Sequence, residues 1–221
     1  MKEDYTHILF IIDDSGSMRS LIEDSIGGYN TFIEEQTKLD GEGRIDTITF
    51  GSPRNFKYLY QDRDVNEVPE LTENEHGAHS GGTALLDAIG QGIQDLGKFL
   101  REKDESERPT KVLVNIFTDG EENSSIEFSA DQIQEMIKEQ TDKYDWEFAF
   151  LASDLSASNL AKSIGISNVA FTDKGSKGMK DAYTAMTLNA ASYRTRGVSM
   201  DVQATYDTEK AKDEDETVST S

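Results

Sequence analysis

The feature that most constrains this chain is the alternation of short apolar runs with segments of helical spacing. Ile8 to Ile12, Ile45 to Phe50, Val112 to Phe117 and Phe148 to Ala152 are short, continuous and bounded by turn residues. Such runs suit strands that are covered on both faces of a sheet. Between them, Ile22, Ile26, Tyr29 and Ile33 recur at intervals of four, three and four, while Glu23, Asp24, Glu34 and Glu35 occupy the other faces. Leu86, Ile89, Ile93, Leu96 and Leu100 repeat the pattern. A third helix is expected to start at the N-cap Ser129 and carry Ile133, Met136 and Ile137; a fourth runs from about Lys177 through Met179, Tyr183, Met186 and Tyr193, and a shorter one covers Leu155 to Ile164. Strand and helix in alternation predict an α/β doubly wound domain, with a mostly parallel central sheet and helices on both faces. Asn55 to Tyr60 breaks the alternation. Only Gly51-Ser52-Pro53-Arg54 separates it from the preceding run, too little for a parallel crossover, so it is expected to form one antiparallel edge strand.

A chain of 221 residues can bury one sizeable core. The domain is expected to span residues 1–196. From Gly197 to Ser221 there are one aromatic residue, seven acids and two lysines, including the run Asp213-Glu214-Asp215-Glu216, a composition that predicts a disordered acidic tail. Lys+Arg number 22 against 43 Asp+Glu, a formal charge of −21. Such a field repels phosphate backbones and anionic lipid headgroups, which argues against nucleic acid and membrane surfaces as partners. There is no cysteine, so disulfides, thiolate metal sites and cysteine nucleophiles are excluded. No apolar run approaches the ~20 residues that span a bilayer, and a cytoplasmic location is expected.

In an open parallel sheet, ligands sit beyond the carboxyl ends of the strands. There the first strand ends in Asp13-Asp14-Ser15-Gly16-Ser17, the middle helix opens with Ser80-Gly81-Gly82-Thr83, and the Val112 strand ends in Thr118-Asp119-Gly120. Three loops distant in sequence thus carry Asp13, Ser15, Ser17, Thr83 and Asp119 to one edge. Two carboxylates and three hydroxyls are hard oxygen donors, suited to Mg²⁺ or Mn²⁺ and poorly suited to zinc. The i, i+2, i+4 spacing of Asp13, Ser15 and Ser17 lets one segment point alternate side chains at a common centre. Two carboxylates at most neutralise a divalent ion, and hydroxyls donate weakly. A further anionic oxygen from outside would complete the shell.

Asp13-x-Ser15-x-Ser17 with Thr83 and Asp119-Gly120 resembles the metal-ion-dependent adhesion site of the von Willebrand factor A domain family. The resemblance covers roughly Tyr5 to Arg196, and the phrases at 81 to 89 and 117 to 123 are similar to short stand-alone members of bacteria and their phages. It implies a Rossmann-like fold. Ser15, Ser17 and Thr83 would ligate the ion directly or through water, and Asp13 and Asp119 would alternate between the two. It further implies a protein-binding module, not an enzyme, in which a partner's Asp or Glu completes the coordination.

Other readings of the same residues stay open at this point. Paired acids Asp13-Asp14 with a later Asp119 are similar to a phosphoacceptor receiver, although no lysine closes the strand ending Leu151-Ala152-Ser153, and the serines would be unexplained. A structural or assembly component, its metal merely bracing three loops, is a third class. A Ser-His-Asp hydrolase is poorly supported by three histidines and no G-x-S-x-G elbow. His76 and His79 are expected in a solvated loop, His7 in a strand with a structural role, and Glu121-Glu122 in a solvated loop. Gly27-Gly28, Gly90, Gly92 and Gly97 fall inside predicted helices, where each costs ~1 kcal/mol relative to Ala; close packing or a hinge would explain them.

Overall fold

In a computed structural model of the chain, described over residues 1–173 and 175–219 with side chains as far as 212, strands and helices alternate along most of the chain. β1 (Lys2–Asp13) is followed by a 3₁₀ turn (Gly16–Ser20), α1 (Ile22–Thr37), β2 (Glu42–Phe50), β3 (Lys57–Asp64) and α2 (Leu85–Glu102). Then come β4 (Pro109–Thr118), α3 (Ala130–Tyr144), β5 (Glu147–Ala152), α4 (Leu155–Ser163), β6 (Asn168–Phe171), α5 (Ser176–Arg196) and α6 (Val202–Ser219). The sheet order is β3-β2-β1-β4-β5-β6. All pairs are parallel except β2–β3, where Thr49 faces Lys57 and Arg44 faces Asp64. The expected α/β class, the mostly parallel sheet and its single antiparallel edge are therefore all present.

Side chains alternate across a strand, and this divides the core in two. Ile8, Phe10 and Ile12 of β1 face Tyr29 and Phe32 of α1 and Tyr183 and Met186 of α5. Leu9 and Ile11 face the other way, toward Ile89 and Ile93 of α2 and the cluster that also holds Ile133 and Phe150. β1 lies between β2 and β4 and is apolar on both faces, which is why its sequence reads as an unbroken run. α3 starts where expected: the Ser129 side chain accepts from the Gln132 backbone, and the Gln132 side chain accepts from the Ser129 backbone, a reciprocal capping box.

Two parts of the sequence-based layout need correction. β6 was not expected; with only Asn168 to Phe171 in it, its signal is too short for periodicity to register. The segment from Gly197, expected as a disordered acidic tail beyond a domain ending at 196, carries α6 among the described residues. Val202 and Tyr206, four residues apart, bury one face of α6 in the α1/α5 core at 0% and 3% exposure. Asn168 Oδ1 accepts from the Val202 backbone at 2.9 Å, and the Tyr206 hydroxyl accepts from the Asp173 backbone at 2.9 Å. Two well-placed apolar residues are enough to fix the start of a helix whose average composition is that of a solvated chain. The side chains of Asp213-Glu214-Asp215-Glu216 lie outside the described residues. No helix among the described residues is long and apolar enough to cross a membrane.

Candidate metal centre

The five expected site residues come together at the carboxyl edge of β1 and β4. β1 ends on Asp13, and the next residues turn across the sheet edge, with the Asp14 amide donating to the Phe50 carbonyl at 2.6 Å and Ser15 bridging Ser80. This stitching brings the 80–84 loop beside the Asp13–Ser17 segment. The Ser15 and Ser17 hydroxyls are 2.9 Å apart, and the Ser17 hydroxyl donates to Asp119 Oδ1 at 2.7 Å. Asp13 accepts from the Ser15 backbone at 2.8 Å and from the Thr118 hydroxyl at 2.5 Å. Thr118 was not among the expected site residues; its place one residue before Asp119 was the only hint.

Gly120 shows where these oxygens converge. A Cβ on Gly120 would lie 3.2 Å from Ser17 Oγ, 3.4 Å from Thr83 Oγ1 and 3.9 Å from Asp13 Oδ2. The absence of that one carbon leaves a small space where oxygens of the 13–17 and 80–84 loops face Gly120 of the third. Asp13, Ser15 and Thr83 are buried, whereas Ser17 is exposed, so the cluster opens to solvent on one side. Among the described residues no group of three or more His, Cys, Asp or Glu side chains is placed to hold a metal. A cation here would depend on hydroxyls as much as carboxylates, and this donor set fits a hard divalent ion.

Burial pushes the Asp13 carboxyl up to about 6; hydrogen bonds from Thr118 and Ser15 oppose this, and the Asp119 charge adds to it. Its neighbour behaves in the opposite way. Burial works to raise Asp14, but hydrogen bonds from His76 and His79 overcome it and hold the carboxyl below the usual range. Asp14 Oδ1 accepts from the Gly77 and Ala78 backbones at 2.9 and 2.8 Å and contacts His76 Nδ1 at 3.1 Å; Asp14 Oδ2 contacts His79 Nδ1 at 3.0 Å. Asp14 is thus enclosed by the 76–79 loop and does not join Asp13 as a paired acid.

The solvated loop expected for both histidines is correct only for the half-exposed His79. His76 has no exposed surface, because Asp14 and Ser25, distant in sequence, close over it from two sides. His76 Nε2 lies 3.0 Å from Ser25 Oγ, which lies 3.0 Å from the Tyr183 hydroxyl. Ser25, His76 and Asp14 therefore stand in the order of a hydrolytic triad, but Ser25 and His76 are both fully buried. Burial also pushes the Tyr183 phenol far above its ordinary value, which keeps it a donor. His7 is buried in β1 beside Asp46, at 3.2 Å.

The solvated loop expected for Glu121-Glu122 holds for the exposed Glu121, whereas Glu122 is partly buried and bonded to backbone. Glu122 accepts from the Leu86, Ser124 and Ser125 backbones at 3.0, 2.9 and 2.8 Å, covering the start of α2, while Glu121 accepts from the Ser156 hydroxyl. Asp87 in turn accepts from the Ile126, Glu127 and Phe128 backbones, each at 2.9 Å. These bonds tie the loop after Asp119 to α2, and the Thr83 amide joins the same loop by donating to Asn123 Oδ1 at 3.0 Å.

Neither the known protein families nor the curated proteins provide a match to the chain. Solved structures do. Proximal thread matrix protein 1 from the mussel byssus, with a zinc-occupied MIDAS motif, is similar with a TM-score of 0.59 at 12% identity over 84% of this chain and 48% of that one. A von Willebrand factor type A structure from Catenulispora acidiphila gives a TM-score of 0.53 at 14% identity over 84% of this chain and 42% of that one. The chain spans less than half the length of these structures. With its sheet order and the helices on both faces, the chain has the von Willebrand factor type A fold.

Proposed function

We propose that the chain is a metal-dependent protein-binding module rather than an enzyme, with Asp13, Ser15, Ser17, Thr83 and Asp119 holding a divalent cation. The observation that carries this reading is the convergence of Ser17, Thr83 and Asp13 oxygens on the space beside Gly120. The zinc-occupied MIDAS motif of the mussel protein supports a divalent ion in this fold. The hard donor set favours Mg²⁺ or Mn²⁺ as the resident ion, with zinc as the competitor to test.

When bound, the ion would supply a Lewis-acidic position that a partner's Asp or Glu carboxylate can occupy. The chain's own residues do the rest. Asp13 and Asp119 bring the two negative charges, and the Thr118 hydroxyl and Ser15 amide orient Asp13. Ser15 and Ser17 add neutral donors, leaving the charge of the shell no more than balanced. Residues of the surrounding loops would set specificity, because one carboxylate contact does not distinguish among acidic partners.

Capture of partners by the immobilised protein tests the reading. Binding is expected in Mg²⁺ and is lost both in EDTA and in Ser15→Ala. Capture that persists in chelator would move the interface away from this edge.

A further inference from the structure

We propose that His76 is a positioning residue for the candidate metal centre, locking the Asp13–Ser17 loop from behind through Asp14; this rests on the binding-module reading above. Loop 76–79 surrounds the Asp14 carboxylate with backbone amides and two imidazoles, and Asp14 is covalently joined to Asp13 and Ser15. Rotation of the 13–17 segment about the sheet edge would therefore have to break those contacts. Conserving them would keep the serine hydroxyls where the cluster needs them.

The hydrogen-bond chemistry gives this lock a fixed direction. An ionised carboxylate only accepts, so in the neutral imidazole the proton sits on His76 Nδ1, 3.1 Å from Asp14 Oδ1. His76 Nε2 must then accept, and its partner at 3.0 Å is the Ser25 hydroxyl. Ser25 has one proton to give, so the Tyr183 hydroxyl, 3.0 Å away, donates to Ser25. The order runs Tyr183 to Ser25 to His76 to Asp14, from α5 through α1 to the end of β1. Ser25, His76 and Tyr183 are all closed to solvent. The same order that activates a serine in a hydrolase serves here, with no route for a substrate, to hold a carboxylate still.

Two measurements on the full chain test this. Imidazole ¹⁵N NMR at neutral pH is expected to show His76 as the Nδ1–H tautomer; an Nε2–H tautomer or an imidazolium would overturn the ordered chain. Calorimetric titration with MgCl₂ and MnCl₂ then compares variants. His76→Ala is expected to weaken metal binding by about 10–100-fold, the usual range for a group that orients a ligand segment. Asparagine can donate to Asp14 from the Nδ1 position, whereas glutamine can reach only Ser25 from the Nε2 position. His76→Asn should therefore retain most of the affinity and His76→Gln should not, at matched urea stability. Equal affinities in all three variants, with the unaltered protein binding metal, would overturn the inference alone. No binding by the unaltered protein would overturn the binding-module reading as well, and labelling of Ser25 by a fluorophosphonate would overturn the closed, non-catalytic role.

Discussion

Among the candidate site residues, Asp13 carries a carboxyl that responds to pH near neutrality. Its carboxyl is raised by burial to about 6, above the reference value of 3.8, so the folded chain binds that proton more tightly than the unfolded one. The sign follows. With no metal present, Asp13 adds stability as pH falls through about 6, whereas metal binding, which needs the carboxylate, declines over the same interval. Asp14, held low by its hydrogen bonds, acts oppositely and loses its stabilising contribution in acid. The expected outcome concerns the metal increment alone: Mg²⁺ should raise the melting temperature clearly at about pH 7.5 and much less at about pH 5. At ~100 times its dissociation constant the ion should add about 2.7 kcal/mol, several degrees in a chain of this size. Asp119→Ala should abolish the increment; an undiminished shift in that variant would exclude Asp119 as a ligand. The convergence of Asp13, Ser15, Ser17, Thr83 and Asp119 was legible because all five lie in or beside the loops at the carboxyl ends of β1 and β4 and before α2, where a doubly wound sheet brings side chains together. His76 was not legible. Its burial depends on Asp14 and Ser25, 62 and 51 residues away, and nothing in Glu75-His76-Gly77 records that.

The elements were legible where a period repeats and obscure where it does not. α1, α2, α3 and α5 each carry several apolar residues at helical spacing, and the structure places helices over all of them. β6 and α6 offered only four residues and two buried anchors respectively, and tertiary partners decided both. Truncation after Arg196 tests the weight of α6. It should lower the urea midpoint substantially, because it uncovers the core face that Val202 and Tyr206 bury; an unchanged midpoint would restore the picture of a dispensable tail. The glycine pair of α1 separates packing from looseness. A Cβ on Gly28 would come within 2.4 Å of the Tyr183 ring, whereas one on Gly27 would meet nothing within 4 Å. Gly28→Ala is therefore expected to destabilise by about 1–3 kcal/mol through overpacking. Gly27→Ala should stabilise by up to about 1 kcal/mol through helix propensity. Urea denaturation of the two variants checks the pair, and equal effects would contradict the α1–α5 packing.

At the scale of the whole molecule, a charge of −21 attracts the cation and repels the acidic partner that the proposed function requires. Part of this conflict is settled locally: Asp14, Asp87 and Glu122 are each turned inward onto backbone amides, which leaves Glu121 as the exposed carboxylate beside Asp119. The remaining long-range field is screened by salt. Raising ionic strength from about 0.01 M to about 0.15 M shortens the Debye length from about 30 Å to about 8 Å. Mg²⁺ affinity should fall over that range, and association with a captured acidic partner should speed up, the reverse of an encounter between oppositely charged partners. The most direct measurement is an anomalous difference map from crystals grown with Mn²⁺. One peak should stand beside Gly120, about 2.0–2.2 Å from hydroxyl oxygens of the Ser15, Ser17 and Thr83 set, with at least one position filled by water. A map with no peak there, or with manganese bound only elsewhere on the acidic surface, would contradict it.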